Sequence, residues 1–200
     1  QQTKNSKKEI KGVKMKKKHI ISLTGDLASG KGETSRILIE KLGYGIYRNG
    51  QYFRKLAKEM NMSVTEFNIY VESHPEIDRQ IENSAAEYAK TNDLFIIDAR
   101  LGWYAVPESF KVYLKVDIDV AAKRAFYDAD RKDTENFETL EEQKQDMIKR
   151  ANLEKERYFN LYGIRQGDIS NYDLIVDTTY KTPEEVANTI IEEYKRWLKK

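Results

Sequence analysis

The sequence predicts an α/β fold in which helices flank a parallel sheet. Short apolar runs of strand length recur at 20–23, 94–97, 110–116 and 173–177. Segments with helical apolar spacing separate them, the alternation that builds parallel sheets. The first run leads directly into Gly25-Asp26-Leu27-Ala28-Ser29-Gly30-Lys31, a match to G-x-x-x-x-G-K. Helical spacing follows at Ile37, Leu38 and Leu42. Strand, glycine-rich loop and helix are the context in which that pattern cradles phosphate.

Ile20, Ile21 and Leu23 read as a buried first strand. Gly25 and Gly30 permit a tight turn that brings backbone N–H groups up to phosphate oxygens. The helix N-terminus and Lys31 add positive charge at the same place. Gly32 stands where Ser or Thr commonly holds magnesium, and the hydroxyls come later, at Thr34 and Ser35. Gly43-Tyr44-Gly45 turns the chain into a short second strand at Ile46-Tyr47. Gln51 to Met60 reads as a helix. Ser63-Val64-Thr65-Glu66 is a capping-box pattern opening another, with Phe67, Tyr70 and Val71 as its apolar face. Ser73-His74-Pro75-Glu76 opens a third, which keeps helical spacing to about residue 90. These helices precede the third strand and read as an inserted, substrate-holding subregion.

The third strand, 94–97, ends in Asp98, and the fourth is Phe110 to Val116. The segment from Arg124 to Arg165 is dense in charge and contains Arg131, Arg150 and Arg157. Thr139 to about Leu161 reads as one long helix. Arg150 and Arg157 lie two turns apart on it and point one way. Alone, that is also the pattern of a solvated helix face laced with ion pairs. Asp173 to Asp177 is the last strand. Thr182-Pro183-Glu184-Glu185 caps a final helix whose packing face is Val186, Ile190, Tyr194 and Trp197. Ligands of parallel sheets bind at the carboxyl ends of the strands. Those ends carry Gly25, Asp98 to Arg100, and Asp177 to Thr179.

Two hundred residues suffice for one domain with a real core. No apolar stretch approaches the ~20 residues of a membrane span. The chain has no cysteine and two histidines. Disulfides and thiolate metal sites are excluded, and a zinc site is not expected. These features fit a cytoplasmic protein. The net charge of +2 hides an asymmetry, because residues 1–18 hold eight lysines and one glutamate. Residues 1–15 read as a basic, disordered leader; an arm for nucleic acid or an acidic surface is the alternative. Nucleic acid is not expected as a partner. Residues 16–200 read as a single domain.

The residues collected so far resemble the cytidylate kinase family, especially its shorter archaeal-type branch, over nearly all of 19–195. GDLASGKGE is similar to that family's phosphate loop, in which Gly also follows the lysine and Thr comes next; here Glu33 takes the place of that Thr. Asn49-Gly50-Gln51-Tyr52-Phe53-Arg54 resembles the family's Ser-Gly-x-x-x-Arg element. FRKLAKEMNMSVTEFNIYVESHPEIDRQIE resembles the same branch's monophosphate-binding helices, Asp78 included. Asp98-Ala99-Arg100 is similar to Asp/Glu-Gly-Arg at the end of the third strand. YDLIVDTTYKTPEEVANTI resembles the carboxyl-terminal strand and helix, and the arginine-rich segment resembles a mobile lid.

The resemblance implies a three-layer P-loop NTPase fold with a central parallel five-stranded sheet. It implies acceptor-binding helices over about 50–90 and a lid over about 124–158. The reaction it implies is transfer of the ATP γ-phosphoryl to a nucleoside monophosphate, CMP or dCMP, with magnesium. ATP would be held by Gly25, Ala28, Ser29, Gly30, Lys31, Gly32, Glu33 and Thr34. The acceptor would be held by Arg54, Asp78 and Arg100. Lys31, Arg100, Arg150, Arg157 and Asp98 would serve the transfer itself. Thr34 and Asp98 would act on the metal indirectly; Asp98 either orders magnesium and its waters or only fixes Arg100 by a charged hydrogen bond. The acceptor phosphate is already an anion and needs no general base. A monomer or weak homo-oligomer is expected. The rivals are a kinase of the same fold for a shikimate-like or sugar alcohol, and a non-catalytic nucleotide-binding protein. A GTPase lacks support, because no Asn/Thr-Lys-x-Asp signal follows the fourth strand.

Overall fold

A computed structural model describes residues 18–62, 64–128 and 137–200. The leader, Ser63 of the capping-box pattern and Arg131 lie outside the described residues.

Five strands form one sheet: β1 (Ile20–Gly25), β2 (Gly45–Arg48), β3 (Phe95–Asp98), β4 (Phe110–Lys115) and β5 (Leu174–Asp177). Their order is β2-β3-β1-β4-β5, and every pairing is parallel. β1 is central and buried along its whole length. That explains why it reads as a continuous apolar run rather than an alternating one.

Alternate side chains feed the two faces. Ile21, Leu23 and Ile96 pack with Ile37 and Leu38 of α1 (Lys31–Leu42) and with Val186, Ile190 and Tyr194 of α8 (Pro183–Lys199). Ile20, Phe95 and Ile97 pack on the other face against Ala85 and Ala89 of α4 (Pro75–Thr91). The small alanines let that helix come close to the strands. Between β2 and β3 stand α2 (Asn49–Glu59) and α3 (Val64–Glu72), which share a separate apolar cluster with α4 through Ala57, Phe67, Val71 and Ile81. The expected inserted subregion therefore has a core of its own.

Beyond β3 a short α5 (Gly102–Ala105) precedes β4, and α6 (Ile118–Tyr127) follows it. The long helix is α7 (Leu140–Tyr162). Thr139 caps it by accepting from the Glu142 amide at 3.2 Å, and Glu142 Oε2 accepts from the Thr139 amide at 3.0 Å. Thr182 and Glu185 repeat this reciprocal cap at the start of α8. Such caps are worth ~1 kcal/mol each. Met147 of α7 packs with Ala121, Ala122 and Ala125 of α6, and Leu27 and Ala28 of the glycine loop lie against that cluster. Tyr158, near the other end of α7, is buried with Leu101 and Ile164. α2 starts at Asn49, two residues earlier than its apolar spacing predicts, directly out of β2. All the strand carboxyl ends point to one edge, where the glycine loop, the turn after β3 and α7 meet.

Candidate active site

The glycine loop is built from the strand outward. A Cβ on Gly25 would lie 2.5 Å from the Leu114 carbonyl oxygen, so only glycine lets β1 and β4 close at this point. Asp26 ties the loop to β4. Its amide donates to the Leu114 carbonyl at 2.9 Å, its Oδ2 accepts from the Val116 amide at 2.9 Å, and its Oδ1 accepts from the Tyr113 hydroxyl. Burial and that bond to Asp26 push the Tyr113 phenol well above its usual range. Ala28 and Gly30 are both left-handed, with φ of 56° and 86°. For Ala28 that conformation costs about 1–2 kcal/mol; packing of the residue against α6 and α7 offsets it.

Above the loop is a hollow of about 450 Å³, lined by Ala28 to Glu33 and by Arg124 and Asp128. Gly30 caps α1, so the first amides of that helix open toward the loop. The Ser29 hydroxyl is buried without a hydrogen-bond partner. A loop of amides with an unpartnered buried hydroxyl fits a phosphate group. The Glu33 carboxylate turns along the helix surface to Arg36, at 2.6 and 3.0 Å, which holds it below the usual carboxylate range. Ser35 donates its hydroxyl to the Lys31 carbonyl at 2.8 Å and is committed inside α1. Thr34 is buried one residue nearer the loop.

Arg124 is gripped from behind. Its guanidinium donates to the Thr178 carbonyl at 2.7 Å and to the Thr179 carbonyl at 3.3 Å. It thereby joins α6 to the loop after β5 at the rim of the hollow.

A second cleft, of about 500 Å³, lies between the inserted helices and α7. Asn49, Gly50, Asp78, Glu82 and Arg157 line it. Asp78 and Glu82 are one helical turn apart on α4, and their exposures are 5% and 8%. Asp78 accepts from the Tyr162 hydroxyl at 2.7 Å and pairs with Arg157 at 3.6 Å. Glu82 accepts from the Asn49 amide group at 3.1 Å, while Asn49 Oδ1 is buried and unpartnered. Burial first, then the neighbouring Asp78 charge, pushes the Glu82 carboxyl up to about 7. Arg54 is exposed, and its Nη1 lies over Gly50.

Arg100 lines a third, smaller hollow of about 210 Å³, with Gly25, Asp26, Glu154 and Gln166. The turn that carries it is fixed by Thr24, which donates to the Ala99 carbonyl at 3.1 Å. Gly102 fits because a Cβ there would lie 2.6 Å from Ile97 Cγ2. Arg100 Nη1 donates to the Gly25 carbonyl at 2.6 Å, and its Nε pairs with Glu154 of α7 at 3.2 Å. Asp98 does not fix Arg100. It pairs with Arg48, its register partner on β2, at 3.5 Å. The two arginines of α7 diverge: Arg157 lines the second cleft, whereas Arg150 pairs with Asp146, one turn back, at 3.7 Å. The sequence does not single out Arg124, Glu82, Glu154 or Tyr162 for this region. The spacing of four between Asp78 and Glu82 was the one available signal. No cluster of three or more metal-binding side chains occurs among the described residues, and no helix there is long and apolar enough to cross a membrane.

A parallel sheet in this order, a glycine loop opening a helix, and a separate arginine-bearing cleft beside it define a P-loop phosphotransferase. The family model described as cytidylate kinase-like matches residues 20–180, and the chain belongs to that family. It is 36% identical over 171 residues to a cytidylate kinase of Thermoplasma acidophilum, covering 84% of this chain and 87% of the relative. Among solved structures it is similar to an uncharacterized protein from Eubacterium ventriosum (TM-score 0.65, 18% identity, 88% and 98% of the two chains). It is also similar to shikimate kinase from Bacteroides thetaiotaomicron (TM-score 0.60, 15% identity, 88% and 98%). These two show the fold alone.

Proposed function

We propose that this protein transfers the γ-phosphoryl group of ATP to CMP or dCMP. The observation that carries the reading is the pairing of two separate clefts, one over the glycine loop and one lined by Asp78, Glu82 and Arg157. Backbone amides of residues 28–32 and Lys31 hold the donor phosphates. Arg54, at the mouth of the second cleft, and Arg100 hold the acceptor phosphate against its repulsion from the donor. Arg157 neutralises charge from the α7 side, and Asp78 orients the nucleoside. Arg150 is the second lid arginine and joins when α7 closes further. Catalysis is then alignment and neutralisation, since the attacking oxygen is already anionic.

The floor of the acceptor cleft supports an amino-bearing base. Asp78 and the unpartnered Asn49 Oδ1 are acceptors. The cytosine amine can donate to such a floor, whereas uracil presents a carbonyl at the same position. Magnesium fits here only lightly. Thr34 at the loop and Asp98 at the end of β3 offer one hydroxyl and one carboxylate. That suits an ion held mainly by phosphates and waters. When bound, it screens the donor phosphate charge.

The test is ADP release with ATP and magnesium against CMP, dCMP, UMP, AMP, GMP and shikimate. CMP and dCMP should be turned over with the highest kcat/KM. Turnover of shikimate alone would place the chain with the alcohol kinases, and ATP binding without any transfer would make it a nucleotide-binding protein.

A further inference from the structure

Arg100 carries two partners that an acceptor phosphate would have to share or displace. One is the Gly25 carbonyl, at 2.6 Å, and the other is the Glu154 carboxylate, at 3.2 Å. Both side chains of that ion pair are about one-quarter exposed, so it is no ordinary surface bridge. Glu154 is itself held in place: its Oε1 accepts from Gln166 at 2.6 Å, across the turn that ends α7. Three residues further along α7, Arg157 pairs with Asp78 of the acceptor cleft. The helix thus gives a carboxylate to an arginine of the β3 turn and takes a carboxylate for its own arginine.

We infer that Glu154 is a positioning residue that occupies the acceptor-phosphate seat on Arg100 until the acceptor arrives. This rests on the reading of Arg100 as an acceptor-phosphate ligand. A carboxylate and a phosphate offer a guanidinium the same paired oxygens and the same sign of charge. They compete for one partner. While Glu154 holds Arg100, that cation is neutralised and cannot help to stabilise charge on a transferring phosphoryl group. With ATP alone bound, the competing reaction is attack of water on the γ-phosphorus, which gives ADP and inorganic phosphate. The pair restrains that loss. An arriving nucleoside monophosphate displaces Glu154, recruits Arg100 and frees α7 from the β3 turn in one exchange.

The consequence is quantitative. Apparent acceptor affinity is the intrinsic affinity scaled by the fraction of molecules whose Arg100 is free. Glu154→Gln keeps the oxygen that accepts from Gln166 and removes only the charge. In the full chain it should lower the KM for CMP by about fivefold and raise ATP hydrolysis without acceptor by a similar factor. The KM for ATP should stay within about twofold. Glu154→Asp keeps the charge and should stay closer to the wild type in both readouts. Gln166→Ala loosens the carboxylate without touching either charge and should shift both readouts the same way by less. It also supplies an answer if Glu154→Gln unfolds.

An unchanged or raised KM for CMP together with unchanged hydrolysis, in whichever variant folds, would overturn the inference. The hydrolysis arm needs no acceptor. If the wild type phosphorylates none of the monophosphates tested, the functional proposal fails by itself. Where the wild type does phosphorylate CMP, variants with unchanged hydrolysis and unchanged KM condemn the role of Glu154 alone.

Discussion

Glu82→Gln should stabilise the protein at alkaline pH and leave it nearly unchanged in acid. The carboxyl is 8% exposed, lies beside Asp78, and titrates at about 7 against an ordinary 4.5. In the unfolded chain it loses its proton near 4.5. Between 4.5 and 7 the native state therefore binds a proton that the unfolded state has released, and stability falls as pH rises through that window. Above 7 both states are ionised and the full penalty remains. A difference of about 2.5 pH units corresponds to ~3 kcal/mol. Glutamine is neutral at every pH, and its carbonyl can still accept the Asn49 hydrogen bond. At ~2–4 °C per kcal/mol for a chain of this size, Tm at pH 8.5 should rise by roughly 6–12 °C. At pH 4.5 the two proteins should melt within about 2 °C of one another. Thermal unfolding followed by circular dichroism at both pH values is the assay. An equal gain at both pH values would mean that packing rather than charge is responsible. A loss at pH 8.5 would show that ionised Glu82 is favourably held by Arg157 and Arg100, and the reasoning fails.

Lys31→Ala should cut kcat by at least ~100-fold in steady-state ADP release, with the fold retained by circular dichroism. Arg54→Ala and Arg100→Ala should each raise the acceptor KM and lower kcat, while ATP affinity by titration calorimetry stays near the wild-type value; the reverse pattern would exchange the two clefts. Gly25→Ala should destabilise the chain by about 2–3 kcal/mol in urea unfolding, because its new methyl group meets backbone rather than a flexible side chain. A bisubstrate analogue joining adenosine to cytidine through phosphates should slow hydrogen exchange across residues 140–158, whereas ATP alone should do so only weakly.

The central strands β1 and β3 were legible because they are buried on both faces. Continuous apolar runs and a glycine loop are strong local signals, and they placed β1, β3, β4 and β5 within a few residues. Helix starts were legible where a cap is written in adjacent residues, as at Thr182 and Glu185. In the polar floor of the second cleft, Asp78 was reached only through the family resemblance and Glu82 was not reached at all. Asp78 and Glu82 look like ordinary first-turn and surface acids of a helix that begins with Pro75. What buries them is Tyr162 and Arg157, some eighty residues later in the chain. No local pattern carries that information. Asp98 is the same kind of case. Its partner Arg48 is chosen by the neighbouring of β2 and β3, a topological fact rather than a motif. Arg124 was visible as one cation in a charged segment, but its grip on the carbonyls of Thr178 and Thr179 depends on the packing of α6 beside the loop after β5.

Arg150 and Arg157 show how far periodicity reaches. Seven residues return a helix to nearly the same azimuth but advance it by about 10 Å. Sharing a face therefore does not mean sharing a partner. Arg157 lies at the buried end, above the Tyr158 ring at 5.0 Å and within reach of Asp78. Arg150 lies nearer the end that packs on α6 and is paired with Asp146. Between them Glu154 holds Arg100. Cations of the proposed acceptor site thus already face protein carboxylates. On the functional reading above, substrate binding replaces one set of anions with another instead of filling a positive void. Acceptor affinity is then a difference between two ion pairings, which keeps it moderate and lets the product leave. It also makes α7 respond to the charge of the acceptor, because each exchange removes a contact that fastens the helix to the sheet edge.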